Sequence, residues 1–106
     1  MSWDTYLAIN TGIDDIEVID VGNYTYNVGK MYRDALGFSY SDFNGMLAKD
    51  AIQILKIAIE KMEKNPKYYE TMNPENNWGN YNGALKYLKS LYVACKDNPL
   101  CKIVVT

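Results

Sequence analysis

The chain has 106 residues, 48% of them apolar and 23% charged, and a formal net charge of -2. That is enough for one hydrophobic core. Its eleven Lys and Arg are scattered among thirteen acids, which excludes the basic face a duplex nucleic acid needs and the dense acidic face of a nucleic-acid mimic.

From Ser2 to Asn10 the residues alternate, with Trp3, Thr5, Leu7 and Ile9 on one face, which predicts a first strand ending at the turn Thr11-Gly12-Ile13-Asp14-Asp15. The β-branched run Ile16 to Val21 reads as its hairpin partner, and Gly22 to Asn27 as a polar, aromatic loop. A short helix over Val28 to Leu36 follows, closed by Gly37 in a left-handed cap. The longest helix is expected over Met46 to Lys64, where Leu47, Ala51, Ile54, Leu55, Ala58 and Met62 form one stripe, with Ile52, Ile57 and Ile59 widening it. Asn65-Pro66 stops it and can open a short turn through Tyr69 or Met72, and Asn73-Pro74 repeats the pattern. A third clear helix spans Tyr81 to Lys96 and breaks at Asp97-Asn98-Pro99. The β-branched end, Lys102 to Thr106, is expected to pair with an N-terminal strand. The fold class predicted is α+β, a small antiparallel sheet with about three helices packed on one face, as a single domain over residues 1–106.

Histidine is absent, and with it the commonest general base and transition-metal ligand. No phosphate-binding glycine loop, dinucleotide fingerprint or nucleophile elbow is present, so no catalytic residue, metal or cofactor is predicted. A hydrolase using Asp15, Glu17 or Glu75 is the least favoured reading, because Asp14, Asp15, Glu17 and Asp20 also suit an acidic hairpin turn. Without a secretion signal or an apolar run of about 18 residues, a cytoplasmic setting with no membrane partner is expected, and Cys95 and Cys101 read as reduced thiols.

Two segments stand out. Gly22-Asn23-Tyr24-Thr25-Tyr26-Asn27 and Asn73 to Gly83 together hold seven of the eleven asparagines. Asparagine carries an acceptor and a donor on one short arm, and Tyr or Trp a flat face with a polar tip, a mixture that suits a planar ligand stacked on a ring and read at its edge. Each segment precedes a helix, whose free N–H groups favour an anion. The binding residues expected are therefore Asn23, Tyr24, Tyr26 and Asn27 on one side and Asn76, Trp78, Asn80 and Tyr81 on the other, with Lys30 and Arg33 as the nearest cations. Turns and caps also need Asn and Gly, and Trp78 is equally suited to plugging the core. Tyr32, Tyr40, Tyr68 and Tyr69 are expected to add aromatic surface of the kind protein-binding faces carry.

The stretches Gly22-Asn23-Tyr24-Thr25-Tyr26-Asn27-Val28 and Asn73-Pro74-Glu75-Asn76 with Trp78-Gly79-Asn80-Tyr81 resemble a family of small proteins encoded by phages, prophages and bacteria. The likeness extends to Trp3-Asp4 and Thr11-Gly12. The family brings no activity to carry over. It implies a phage accessory setting, in which small cytoplasmic proteins disarm host immunity. The expected function is sequestration of a small polar ligand, a nucleotide immune signal first among them, in a pocket whose walls a symmetric homo-oligomer would complete. The alternative is an anti-CRISPR-like inhibitor that binds a host defence protein through the tyrosine-rich surface.

Overall fold

In the computed structural model, which describes residues 1–106 apart from the side chain of Asn10, the chain opens with strands β1 (Ser2–Asn10) and β2 (Asp15–Thr25). Their turn is closed by Thr11: its N–H and its hydroxyl donate to the Asp14 carbonyl at 2.9 and 3.0 Å. The strands pair antiparallel from Ser2–Thr25 to Asn10–Asp15, and the register steps between Thr5 and Tyr6 and again between Leu7 and Ala8, leaving Val21 and Val18 as bulged residues of β2. The segment from Gly22 to Thr25, expected as a loop, is the end of β2, because Ser2, Trp3, Asp4 and Thr5 need partners on that side. A 3-10 turn, Tyr26–Val28, then leads into helix α1 (Gly29–Leu36), which ends as expected on left-handed Gly37, φ +84°, whose N–H donates to the Arg33 carbonyl.

A second 3-10 turn, Tyr40–Phe43, precedes α2 (Ala48–Lys64). The short α3 (Pro66–Glu70), α4 (Tyr81–Asp97) and β3 (Lys102–Val105) follow. β3 pairs antiparallel with β1, giving the sheet order β2-β1-β3 and an α+β fold. Trp3, Thr5, Leu7, Ile103 and Val105, on one face of the sheet, are buried, and Asp4 on the other is exposed. The buried face meets the inner stripes of α2 (Ala51, Leu55, Ala58, Met62) and α4 (Ala84, Leu88, Leu91, Cys95) in one core. Ile57, expected to widen the α2 stripe, is exposed instead.

The tyrosines correct the sequence reading. Tyr32, Tyr40 and Tyr69 are buried rather than surface aromatics, and Tyr68 alone of the four is exposed. Tyr32 and Tyr40 can go inside because their hydroxyls find acceptors there: Tyr32 donates to the Ala84 carbonyl at 2.7 Å, and the Tyr40 and Thr5 hydroxyls share a hydrogen bond of 2.9 Å. Thr5 also bonds the Tyr87 hydroxyl at 2.7 Å, and Tyr87 reaches the Gly22 carbonyl at 3.1 Å, so one polar chain ties both strands of the hairpin to α4.

Candidate functional site

The two Asn/Tyr segments meet. The Asn80 N–H donates to the Tyr24 hydroxyl at 3.1 Å, and that hydroxyl lies 3.4 Å from the Asn80 carbonyl, so one side chain clasps the end of β2 to the start of α4. The closeness depends on two glycines. A Cβ on Gly79, whose φ is +93°, would stand 2.6 Å from Thr25 Cγ2, and one on Gly83 would overlap the Tyr24 hydroxyl. Three of the seven asparagines here are spent on backbone. Asn80 caps α4 by accepting from the Gly83 N–H at 2.8 Å, Asn73 accepts from the Tyr81 N–H at 2.8 Å, and Asn76 from the Trp78 N–H at 3.0 Å. Asn27 donates its amide to Thr25 Oγ1 at 3.0 Å.

Two hollows stand out, one lined by residues of this clasp and the other starting two residues beyond Tyr24, at Tyr26. The first is an open groove of about 390 Å³ lined by Met1, Ser2, Asn23, Tyr24, Thr25, Trp78 and Gly79. Trp78 lies across it with 64% of its surface exposed, so it does not plug the core. The second is a more enclosed cavity of about 310 Å³ lined by Trp3, Tyr26, Gly29, Arg33, Ser39, Tyr40 and Ser41. Its walls are aromatic: Trp3 packs against Tyr26 at 5.1 Å and Tyr40 at 4.8 Å between ring centroids. Its rim is polar, with the Ser39 and Ser41 hydroxyls 3.0 Å apart. Burial, with the neighbouring Tyr87 phenol adding, holds the Tyr40 phenol neutral well above its usual range.

Arg33 gives this cavity its charge. Among the described residues the ion pairs are Lys61–Asp34, Lys89–Glu63 and Lys102–Asp15, and none uses Arg33. Its sequence neighbour Asp34 is engaged elsewhere, accepting from the Tyr68 hydroxyl at 2.9 Å. The result is a guanidinium without an acid beside an aromatic wall and two hydroxyls, a set that can hold a carboxylate or phosphate joined to a planar group. No family model, curated protein or solved structure matches the chain. The functional reading therefore rests on this geometry and on the two segments.

The ten residues expected to bind are thus divided. Asn23, Tyr24 and Trp78 share the groove, and Tyr26 and Arg33 share the cavity. Asn80 and Tyr81 line a third, small hollow, where the Tyr81 ring is buried and its hydroxyl donates to the Met62 carbonyl at 2.8 Å. Lys30, Asn27 and Asn76 are exposed away from these hollows. Trp3, Gly29, Ser39 and Ser41 carry no binding signal in the sequence, and Tyr40 reads there as surface aromatic. Trp3 reads as a strand position, and Ser39 and Ser41 come from the connection between α1 and α2.

Two carboxylates of the hairpin have partners: Asp15 pairs with Lys102 of β3, and Asp20 accepts from the Gly22 N–H at 2.9 Å. Among the described residues no group of three or more Cys, Asp or Glu could hold a metal ion, and no helix is long and apolar enough to cross a membrane. Cys95 and Cys101 are free and buried; burial, with Cys101 adding, pushes the Cys95 thiol up to about 12.

Proposed function

We propose that this chain is a phage-type accessory protein that binds and sequesters a small anionic ligand with a planar part, a nucleotide signal of host immunity being the leading candidate. The phage setting comes from the resemblance of the two Asn/Tyr segments, and the ligand class from the cavity. The observation that carries the reading is the unpaired Arg33 guanidinium beside Trp3, Tyr26 and the Ser39–Ser41 hydroxyl pair. A volume of about 310 Å³ is at the small end for ligand pockets, enough for a phosphate with one sugar or ring. A larger nucleotide would extend past the Ser2 and Thr25 backbone into the groove, where Trp78 offers a stacking face and Asn23 a base-edge contact.

A thermal-shift screen against linear and cyclic nucleotides tests this. Ligand at a hundredfold excess over its dissociation constant stabilises the native state by about 2.7 kcal/mol, which for a chain of this size raises the melting temperature by about 10 °C or more. The shift should disappear in Arg33→Gln, whose side chain is exposed and, among the described residues, in no ion pair. A screen with no stabilising nucleotide would move the account to a protein inhibitor. The apolar hairpin tip, with Ile13 and Ile16 exposed, is the observation that favours this second reading; the buried tyrosines do not.

A further inference from the structure

Another hollow is larger than either of those two. It is a trough of about 540 Å³ between the free edge of β2 and helix α4, walled by Ile19, Asp20 and Val21 on the strand and, on the helix, by Lys89 beside a row of Lys86, Ser90, Val93 and Asp97. The four residues of the row are spaced by four, three and four, which places them along a single face. That row has a cation at one end, an acid at the other and a small and an apolar residue between. Ser90 turns its hydroxyl back to the Lys86 carbonyl at 3.0 Å, so it asks nothing of a neighbour. Lys89, beside the row, is already paired with Glu63, and Asp20 on the strand accepts from the Gly22 N–H, which leaves Lys86 and Asp97 as the charges of the row, in no ion pair among the described residues.

We propose that a second copy of this chain closes the trough, packing α4 antiparallel against its own copy about a two-fold axis between Ser90 and Val93. That one operation sets Lys86 of each copy against Asp97 of the other and Ser90 against Val93. A row that reads the same from both ends in this way is self-complementary, which an unrelated partner would not require. The strand side agrees. Tyr87 donates to the Gly22 carbonyl, which fixes the level of α4 on β2. From there the axis lies about 7 Å further along the helix, or about two strand residues toward the hairpin tip, near Ile19 and Asp20. The bulges at Val18 and Val21 interrupt the edge, so the helix seam and not a continuous strand ladder holds the contact. The projecting tip, with Ile13 95% and Ile16 56% exposed, then lies over the Lys86 end of the second copy and brings Asp14 and Glu17 toward that lysine.

Sedimentation equilibrium of the full chain across a concentration series tests the proposal. The wild type should be a dimer at micromolar concentration. Val93→Asp, at a side chain 54% exposed in one copy, should raise the dimer dissociation constant at least tenfold while the circular dichroism spectrum is unchanged. Lys86→Asp and Asp97→Lys should each weaken the dimer several-fold, and the two combined should restore it. A wild type that stays monomeric at several hundred micromolar, a dimer indifferent to Val93→Asp, or a charge-swapped pair that fails to recover would overturn it. A monomer that instead captures a different protein through this face would overturn it as well.

Discussion

Gly83→Ala isolates the clasp between the two Asn/Tyr segments, because two effects of opposite sign meet at one atom. Alanine is favoured over glycine within a helix by up to about 1 kcal/mol, and Gly83 lies in the first turn of α4. The added Cβ, however, would overlap the Tyr24 hydroxyl and stand 2.8 Å from Tyr24 Cζ, so the ring must leave. With it go the hydrogen bond from the Asn80 N–H, worth about 1 kcal/mol, and the stack of Tyr24 on Tyr87, 5.6 Å between centroids, worth about 0.5–1.5 kcal/mol. The losses exceed the gain, and the expected outcome is destabilisation by about 1 kcal/mol, a fall in melting temperature of about 4–8 °C. In a Tyr24→Ala background the obstacle is gone and the same substitution should stabilise by up to about 1 kcal/mol. Urea unfolding of the four proteins of this double-mutant cycle measures both values. If Gly83→Ala has the same sign in both backgrounds, the clasp described here is wrong.

Three further outcomes follow from the buried hydroxyls and the caps. Thr5→Val keeps the shape of the side chain but takes away the hydrogen-bond partner of the buried Tyr40 hydroxyl, and should cost about 1–3 kcal/mol by urea unfolding. Asn80→Ala should cost about 1 kcal/mol through loss of the α4 cap, whereas Asn23→Ala, exposed and outside the hydrogen-bond network, should change stability by less than about 0.5 kcal/mol. Stability should fall in alkali. Burial raises Tyr32, Tyr40 and Tyr87 above their usual 10.0 and Cys95 from 9.0 to about 12, so above about pH 9 the unfolded chain gives up protons that the native state keeps. The contribution of these groups is complete below their unfolded values and is lost as pH rises toward the native ones. The urea midpoint should therefore drop between pH 9 and 11, and a flat profile would contradict the buried tyrosine cluster.

Periodicity made most of the architecture readable. The sequence pattern matches β1 over its observed residues, and the helices within one or two residues at most ends, because strand alternation and the Gly37, Asn65-Pro66 and Asn98-Pro99 stops are local signals. The extension of β2 through Thr25 was not readable, since Gly22-Asn23 signals a turn locally and only pairing with Ser2 to Thr5 overrides it. Tyrosine burial was hidden for a similar reason. A phenol is amphipathic, and whether it faces inward depends on an acceptor distant in sequence, as for Tyr32 on Ala84 or Tyr40 on Thr5. The candidate site was legible in part. Composition pointed to the two segments that meet at Tyr24, but Asn27, Asn73, Asn76 and Asn80 serve turns and caps, and the enclosed cavity takes Trp3, Ser39 and Ser41 from segments with no polar-aromatic density of their own.

On the proposed reading the Arg33 cavity takes the anion and planar part of a nucleotide. An amide and indole NMR titration of the full chain with a panel of mononucleotides and cyclic dinucleotides, each beside its uncharged nucleoside, tests it most directly. At least one phosphate-bearing member should shift the Trp3 indole and the Gly29, Arg33, Ser39 and Ser41 amides, with affinity at least tenfold above its nucleoside, and Arg33→Gln should abolish the difference. Resonances of the cavity that stay still with every member, or that respond equally to nucleotide and nucleoside, would contradict it.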